Sequence, residues 1–198
     1  MFVYEKKLQY PVRIKNQNPA LAKFIISQYG GPDGELGASL RYLSQRYSMP
    51  YPELKGLLTD IGTEELGHLE MVGTIVHQLT RSMTPDEIKK AGFDTYFVDH
   101  TAGVYPQFAS GTPWSAATMA VTGDVIADLN ENMAAEQKAR LTYDNILRLS
   151  DDPDVNDVIR YLREREIVHY QRFGEGLRKT IDRLDQKNVY AINPAFDK

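Results

Sequence analysis

Cysteine is absent from the 198 residues. That removes disulfides, thiolate metal sites, iron–sulfur clusters and cysteine nucleophiles at once. Also missing is any window near the roughly 18 consecutive apolar residues of a membrane span, so no membrane partner is predicted. Charge of one sign is not in excess: the net charge is −4 with acids and bases interspersed, which offers no nucleic-acid surface. The opening MFVYEKKLQYPVRIKN is charged and alternating and lacks the apolar run of a signal peptide. What is present is 42% hydrophobic content, enough to bury a core as one domain over 1–198. A soluble, cytoplasmic protein is expected.

Helical periodicity dominates the chain. A first helical segment is predicted over 18–48, opened by Asn-Pro, closed by MPYP and broken or kinked by GGPDG at 30–34. A second covers 51–81, with Pro52 in its first turn. A short helix in TPDEIKKAG has Thr84 as N-cap, Pro85 at the first position and Gly92 as terminator. Residues 93–123 then read as one long connection, rich in Gly, Pro, Ser, Thr and aromatics, of the kind that forms a crossover or functional loop. Asp124 caps a third helix to 149, and a fourth runs over 155–186. Four long helices with a long crossover between the second and third describe an all-α, ferritin-like four-helix bundle.

The apolar stripes of these helices are interrupted by charge. On the second, Ile61, Val72, Ile75 and Leu79 mark the inward face, and Glu65 and His68 occupy its centre. On the fourth, Glu166 and His169 interrupt Ile159, Leu162, Phe173 and Leu177. On the third, Glu136 breaks the seam of Ile126, Leu129, Met133, Tyr143 and Leu147. The first segment offers Glu35 after its glycine break, with Tyr42 two turns later on the same side. Four buried carboxylates would each cost several kcal/mol unpaired. Two divalent cations balance Glu35, Glu65, Glu136 and Glu166 with His68 and His169 neutral. One Glu from each of two helices plus Glu-x-x-His from each of the others is the pattern of di-iron and di-manganese bundles. A lone Glu-x-x-His arises often by chance; two, each centred on an apolar stripe, are far more specific. Glu64, Glu70, Glu131, Glu164 and Glu175 read as solvated or ion-paired, Arg140 as paired with an acid, His77 and His100 as surface or packing residues, and Tyr143 as a core aromatic.

Oxygen ligands with two imidazoles and no sulfur suit manganese or iron better than copper. LLTDIGTEELGHLEM, GTPWSAA, AEQKAR and DDPDVNDVIRYLREREIVH resemble the manganese catalase family. YEKKLQYPV and YGGPDGELGASLRYLSQRYSMP are similar to its short, CotJC-type spore coat branch. The resemblance covers nearly the whole chain. It implies a dimanganese site, with iron as the alternative metal, that disproportionates hydrogen peroxide. Glu35, Glu65, His68, Glu136 and His169 would be the ligands, Glu65 bridging both ions with one histidine on each. Glu166 would lie just outside them as a proton group, and Tyr42 would bond the first-helix carboxylate.

Two departures stand out. Some members place an arginine before the third-helix glutamate, where this chain has Ala135, and longer members carry a C-terminal extension where this chain has NVYAINPAFDK. A homo-oligomer is expected, the hexamer being common in the family, with Tyr105 or Trp114 of the crossover buried against another subunit. Spore coat location and other coat proteins as partners are implied as well. The rival readings are a coat component whose metals are structural, and a di-iron ferroxidase or peroxidase.

Overall fold

A computed structural model describes residues 5–187. The chain builds helices α1 (Pro19–Gly30), α2 (Glu35–Gln45), α3 (Pro52–Thr80), α4 (Pro85–Lys90), α5 (Asp94–His100), α6 (Val125–Leu149) and α7 (Pro153–Lys187), with single 3-10 turns at Arg46–Ser48 and Ala116–Thr118. Among the described residues there is no β-strand beyond one isolated bridge between Gln107 and Pro113. The first predicted segment is thus two helices. Asn18 Oδ1 caps α1 by accepting from Leu21 N at 3.0 Å, and GGPDG ends it. Glu35 then stands as the first residue of α2, where the helix dipole favours its negative charge.

The short helix α4 has Thr84 as its expected N-cap, which forms a capping box with Glu87, and Gly92 follows at φ 62°. The connection after it is less irregular than predicted, because α5 lies within it. Phe93 and Tyr96 of this stretch pack with Ile88 in a small aromatic cluster. Seven residues are too few for a helical period to show in the sequence. The crossover then presses on the first arm of the bundle: a Cβ added at Gly30 would lie 2.3 Å from the Pro106 and Gln107 backbone, so glycine is needed there.

The core is layered. One apolar cluster joins Leu21, Ile25, Val72, Ile75, Tyr143, Ile146, Ile159 and Leu162. Another joins Ala38, Tyr42, Leu58, Ile61, Leu129 and Phe173. Between Ile61 and Val72, Leu129 and Tyr143, and Leu162 and Phe173, the sequence places its glutamates and histidines, so a polar layer separates two apolar ones. Each fully buried large apolar side chain contributes roughly 1.5–3 kcal/mol, and this holds the helices around a layer that opposes their closure. Gly62 allows α2 to approach α3, with Leu43 Cγ only 2.9 Å from where a Cβ would stand. Ser39 Oγ donates to Gly62 O at 2.7 Å across the same contact.

Candidate metal centre

Glu35, Glu65, His68, Glu136, Glu166 and His169 are all buried in that polar layer. Their ligand atoms form two overlapping groups, Glu35–Glu65–His68–Glu166 and Glu65–Glu136–Glu166–His169, each with atoms within 4.8 Å of one another. Glu65 stands in the middle. Its Oε2 lies 2.7 Å from His68 Nδ1 and its Oε1 lies 3.0 Å from His169 Nδ1. Glu35 Oε2 is 3.7 Å from His68 Nδ1, and Glu136 Oε2 is 3.7 Å from His169 Nδ1. The two imidazoles lie 5.6 Å apart and nearly parallel.

These contacts fit metal ligation better than mutual hydrogen bonding. Glu65 Oε1 and Oε2, both Nδ1 atoms, Glu136 Oε2 and Glu166 Oε1 are buried without a hydrogen-bond partner, although several lie within 3 Å of one another. The atoms converge without the ring N–H directions aiming at the oxygens. Ligands about 2.0–2.2 Å from a cation stand at this kind of mutual spacing.

Charge separates the two carboxylates common to both groups. Burial pushes Glu65 up, but the His169 and His68 imidazoliums outweigh it and hold the carboxyl well below its ordinary range. Glu166 is pushed well up by burial, then by Glu35, Glu136 and Glu65. Burial and the Glu65 charge raise Glu35 to about 7. Burial opposes the charge on His169, yet Glu65 and its neighbours push it up to about 12; His68 moves the same way against its own burial. Without cations, then, the layer is held by imidazolium–carboxylate pairs and protonated acids.

Two tyrosines correct the expectation from sequence. Tyr42 donates to Glu136 Oε1 at 2.5 Å, the carboxylate of α6, and does not bond the first-helix glutamate. Tyr143, read as an ordinary core aromatic, donates to Glu35 Oε1. Each tyrosine follows the glutamate of its own helix at the seventh position, two turns on, and bonds the glutamate of the other helix. Glu35 and Tyr42 thus mirror Glu136 and Tyr143 as Glu65 and His68 mirror Glu166 and His169. That repeated Glu-to-Tyr spacing was the available signal.

Glu64 was also missed as part of the site. Half-buried behind the histidines, its Oε1 is 3.5 Å from His68 Nε2 and its Oε2 is 3.2 Å from His169 Nε2. Arg165 Nε donates to its Oε1 at 2.7 Å and Gln9 Nε2 at 2.8 Å. Burial opposes its charge, but His169, His68 and Arg165 outweigh that and hold its carboxyl far below normal. One fixed carboxylate therefore faces the outer nitrogen of both imidazoles, which leaves both Nδ1 atoms for the interior. The spacing of four from Glu64 to His68 hinted at it.

Arg140 pairs with Asp144 at 2.6 Å. Glu131 and Glu164 pair with Lys138 and Arg163, and Glu175 and His77 are exposed. His100 stacks on Tyr105 with ring centres 3.9 Å apart. Trp114 Nε1 lies beside Gly37 of α2. Ala135 is buried in a narrow cleft lined also by Asp33, Glu35, Arg41, Tyr42, Glu136 and Glu166. NVYAINPAFDK lies outside the described residues.

A family profile described as manganese containing catalase matches residues 1–194. The chain belongs to the manganese catalase family. Within it, Protein CotJC of Bacillus subtilis (strain 168) is 52% identical over 190 residues, covering 96% of this chain and 100% of that protein, and this places the chain in the CotJC branch. Among solved structures, KatB, a manganese catalase from Anabaena, superimposes with a TM-score of 0.85 at 34% identity, over 91% of this chain and 81% of that one. A dodecameric thioferritin from Bacteroides fragilis aligns with a TM-score of 0.56 at 16% identity, over 85% of this chain and 88% of that one. That likeness shows the ferritin-like helical fold alone. The manganese catalase family implies a dimanganese centre, and the buried glutamate and histidine groups could hold metal ions.

Proposed function

We propose that this protein disproportionates hydrogen peroxide to water and oxygen at a dimanganese centre held by Glu35, Glu65, His68, Glu136 and His169, as one single-domain unit over 1–198. The observation that carries the reading is Glu65, whose two oxygens face one imidazole each inside a buried layer. Glu65 would thus be shared by the two ions, with Glu35 beside His68 and Glu136 beside His169 as the terminal carboxylates. When bound, the manganese ions supply the redox changes by which one peroxide is reduced and the next oxidised.

The chain's own residues manage protons and position. Reducing one peroxide to two waters consumes two protons, and oxidising the next to oxygen releases two. Glu166 is the proton group: it belongs to both ligand groups, and its Oε1 is buried without a hydrogen-bond partner. Tyr42 and Tyr143 fix the free oxygens of the terminal carboxylates, and the Glu64 carboxylate faces the outer nitrogens of both imidazoles. The closed layer keeps bulk water away, which strengthens each of these contacts.

Similarity to CotJC supports a place in the spore coat beside other coat proteins, and the family likeness supports a homo-oligomer, a hexamer among the candidates, with the crossover at the subunit contact. The absence of cysteine counts against a cysteine-ligated iron centre of the rubrerythrin kind. The deciding experiment is metal analysis of the purified protein together with oxygen evolution from peroxide. Two manganese ions per subunit with steady oxygen release are expected. A fully manganese-loaded protein that releases none would leave the structural-coat reading, and two iron ions with ferroxidase turnover would leave the di-iron one.

A further inference from the structure

Arg41 is among the largest fully buried side chains of the described residues, at 1% exposure. It lies on α2, one residue before Tyr42, and the ligands proposed above leave it without a role. A guanidinium has five N–H donors, and this one is poorly matched. Nη2 reaches Thr118 O of the crossover at 3.4 Å and Asp33 Oδ1 at 4.0 Å. Asp33 Oδ1 is itself taken by Lys138 Nζ at 3.0 Å. Nε and Nη1 are buried with no partner at all. Burying a charge with unused donors is expensive unless something accepts from them.

The cleft beside this guanidinium supplies the context. It is lined by Asp33, Glu35, Tyr42, Ala135, Glu136 and Glu166, so it borders the outer side of both terminal carboxylates and the proton group. Two divalent cations would neutralise the four glutamates, and those carboxylates would then no longer offset the charge on Arg41. A small anion matches what remains in charge and in hydrogen bonding: it would accept from Nε or Nη1 and bring the missing charge. The cleft as it stands is too narrow for a water-sized sphere, so an anion enters only if the side chains lining it move apart.

We infer that Arg41 is an anion-binding residue at the mouth of the metal centre, selecting species of the hydroperoxide and azide class and holding them beside Glu166. This rests on the metal reading above for its location but predicts a binding property separable from turnover. Arg41 would hold the hydroperoxide anion left when peroxide gives its proton to the Glu166 carboxylate, and takes no part in that transfer itself, because a guanidinium stays charged throughout.

The probe is sodium azide, titrated into manganese-loaded protein and followed by the change in the manganese electron paramagnetic resonance spectrum. Arg41→Gln should keep its metal content yet bind azide about tenfold or more weakly, the size of one charge-assisted hydrogen bond. Its KM for peroxide should rise by more than kcat falls. Arg41→Lys, which keeps the charge in a different shape, should recover part of the azide affinity and serves if the glutamine variant fails to fold. Unchanged azide affinity in either folded, metal-loaded variant overturns the inference and leaves the catalase reading standing. Wild-type protein that binds azide in an Arg41-dependent way but evolves no oxygen overturns the catalase reading and leaves the anion site standing.

Discussion

At the scale of single residues, what matters is which carboxylates carry charge. Glu65 and Glu166 both border the two ligand groups, and distance alone does not tell them apart. Their surroundings do. Without cations, two imidazoles keep Glu65 ionised against its burial, whereas burial and then three other carboxylates keep Glu166 neutral. Glu166→Gln, nearly the same shape but unable to exchange a proton, should therefore retain both metals. Its oxygen evolution should fall about 100-fold or more, the usual contribution of a positioned acid–base group. Glu65→Gln should lose metal and melt earlier, since it removes the proposed bridge and the charge that faces both Nδ1 atoms. Metal analysis, melting temperature and oxygen evolution on both variants check this, and metal loss from Glu166→Gln would make that residue a ligand instead.

At the scale of elements, the two halves of the bundle are cross-braced. Tyr42 of α2 bonds Glu136 of α6, and Tyr143 of α6 bonds Glu35 of α2, so each helix fixes the carboxylate of the other. Both hydroxyls resist ionisation, Tyr42 through burial and then Glu136, Tyr143 through burial and then Glu35, and so both remain donors. Removing either donor leaves a buried carboxylate oxygen unsatisfied, at about 1–3 kcal/mol. Tyr42→Phe and Tyr143→Phe should thus act alike, each lowering manganese affinity about 10- to 100-fold with little change in helix content. Competition with a metal-sensitive dye measures it. A strong effect of Tyr42→Phe beside a silent Tyr143→Phe would contradict the mirrored arrangement.

At the scale of the whole molecule, the polar layer couples metal, protons and stability. With the metals stripped, Glu35 (about 7 against an ordinary 4.5) and His169 (about 12 against 6.5) both hold protons more tightly folded than unfolded. The stability that Glu35 contributes is complete below pH 4.5 and is lost as pH rises through 7; that of His169 is complete below 6.5 and is lost on the way to 12. Glu65, shifted the other way, contributes above 4.5 and loses its share as pH falls below that. The stripped protein should be most stable in mildly acidic solution and weaken as pH rises. Cations must displace the imidazole and Glu35 protons, so metal affinity should rise over the same range and loading should acidify a weakly buffered solution. Melting curves with manganese and with chelator at about pH 5 and about pH 8 should therefore show a gap that widens with pH. A constant gap would mean that no protons are exchanged.

The sequence by itself determined the long helices, their caps and the four stripes interrupted by charge, though not the short α5. Those are local matters: period, proline at first turns, an asparagine or aspartate at the N-cap. It also determined the ligand candidates, because an acid and an imidazole three residues apart must share one helix face. Only the tertiary structure decided what the side chains meet across the bundle. Tyr42 could have bonded either glutamate, and the approach of α2 to α6 assigned it to Glu136. Glu64 read as a solvated or ion-paired flank; α7 supplied its ion pair in Arg165 and also brought His169 against it. The charge on Arg41 became significant once folding sealed it beside the glutamates. A helical period says which residues face inward together, but contacts between elements depend on how closely, and at which rotation, each helix is packed against the next.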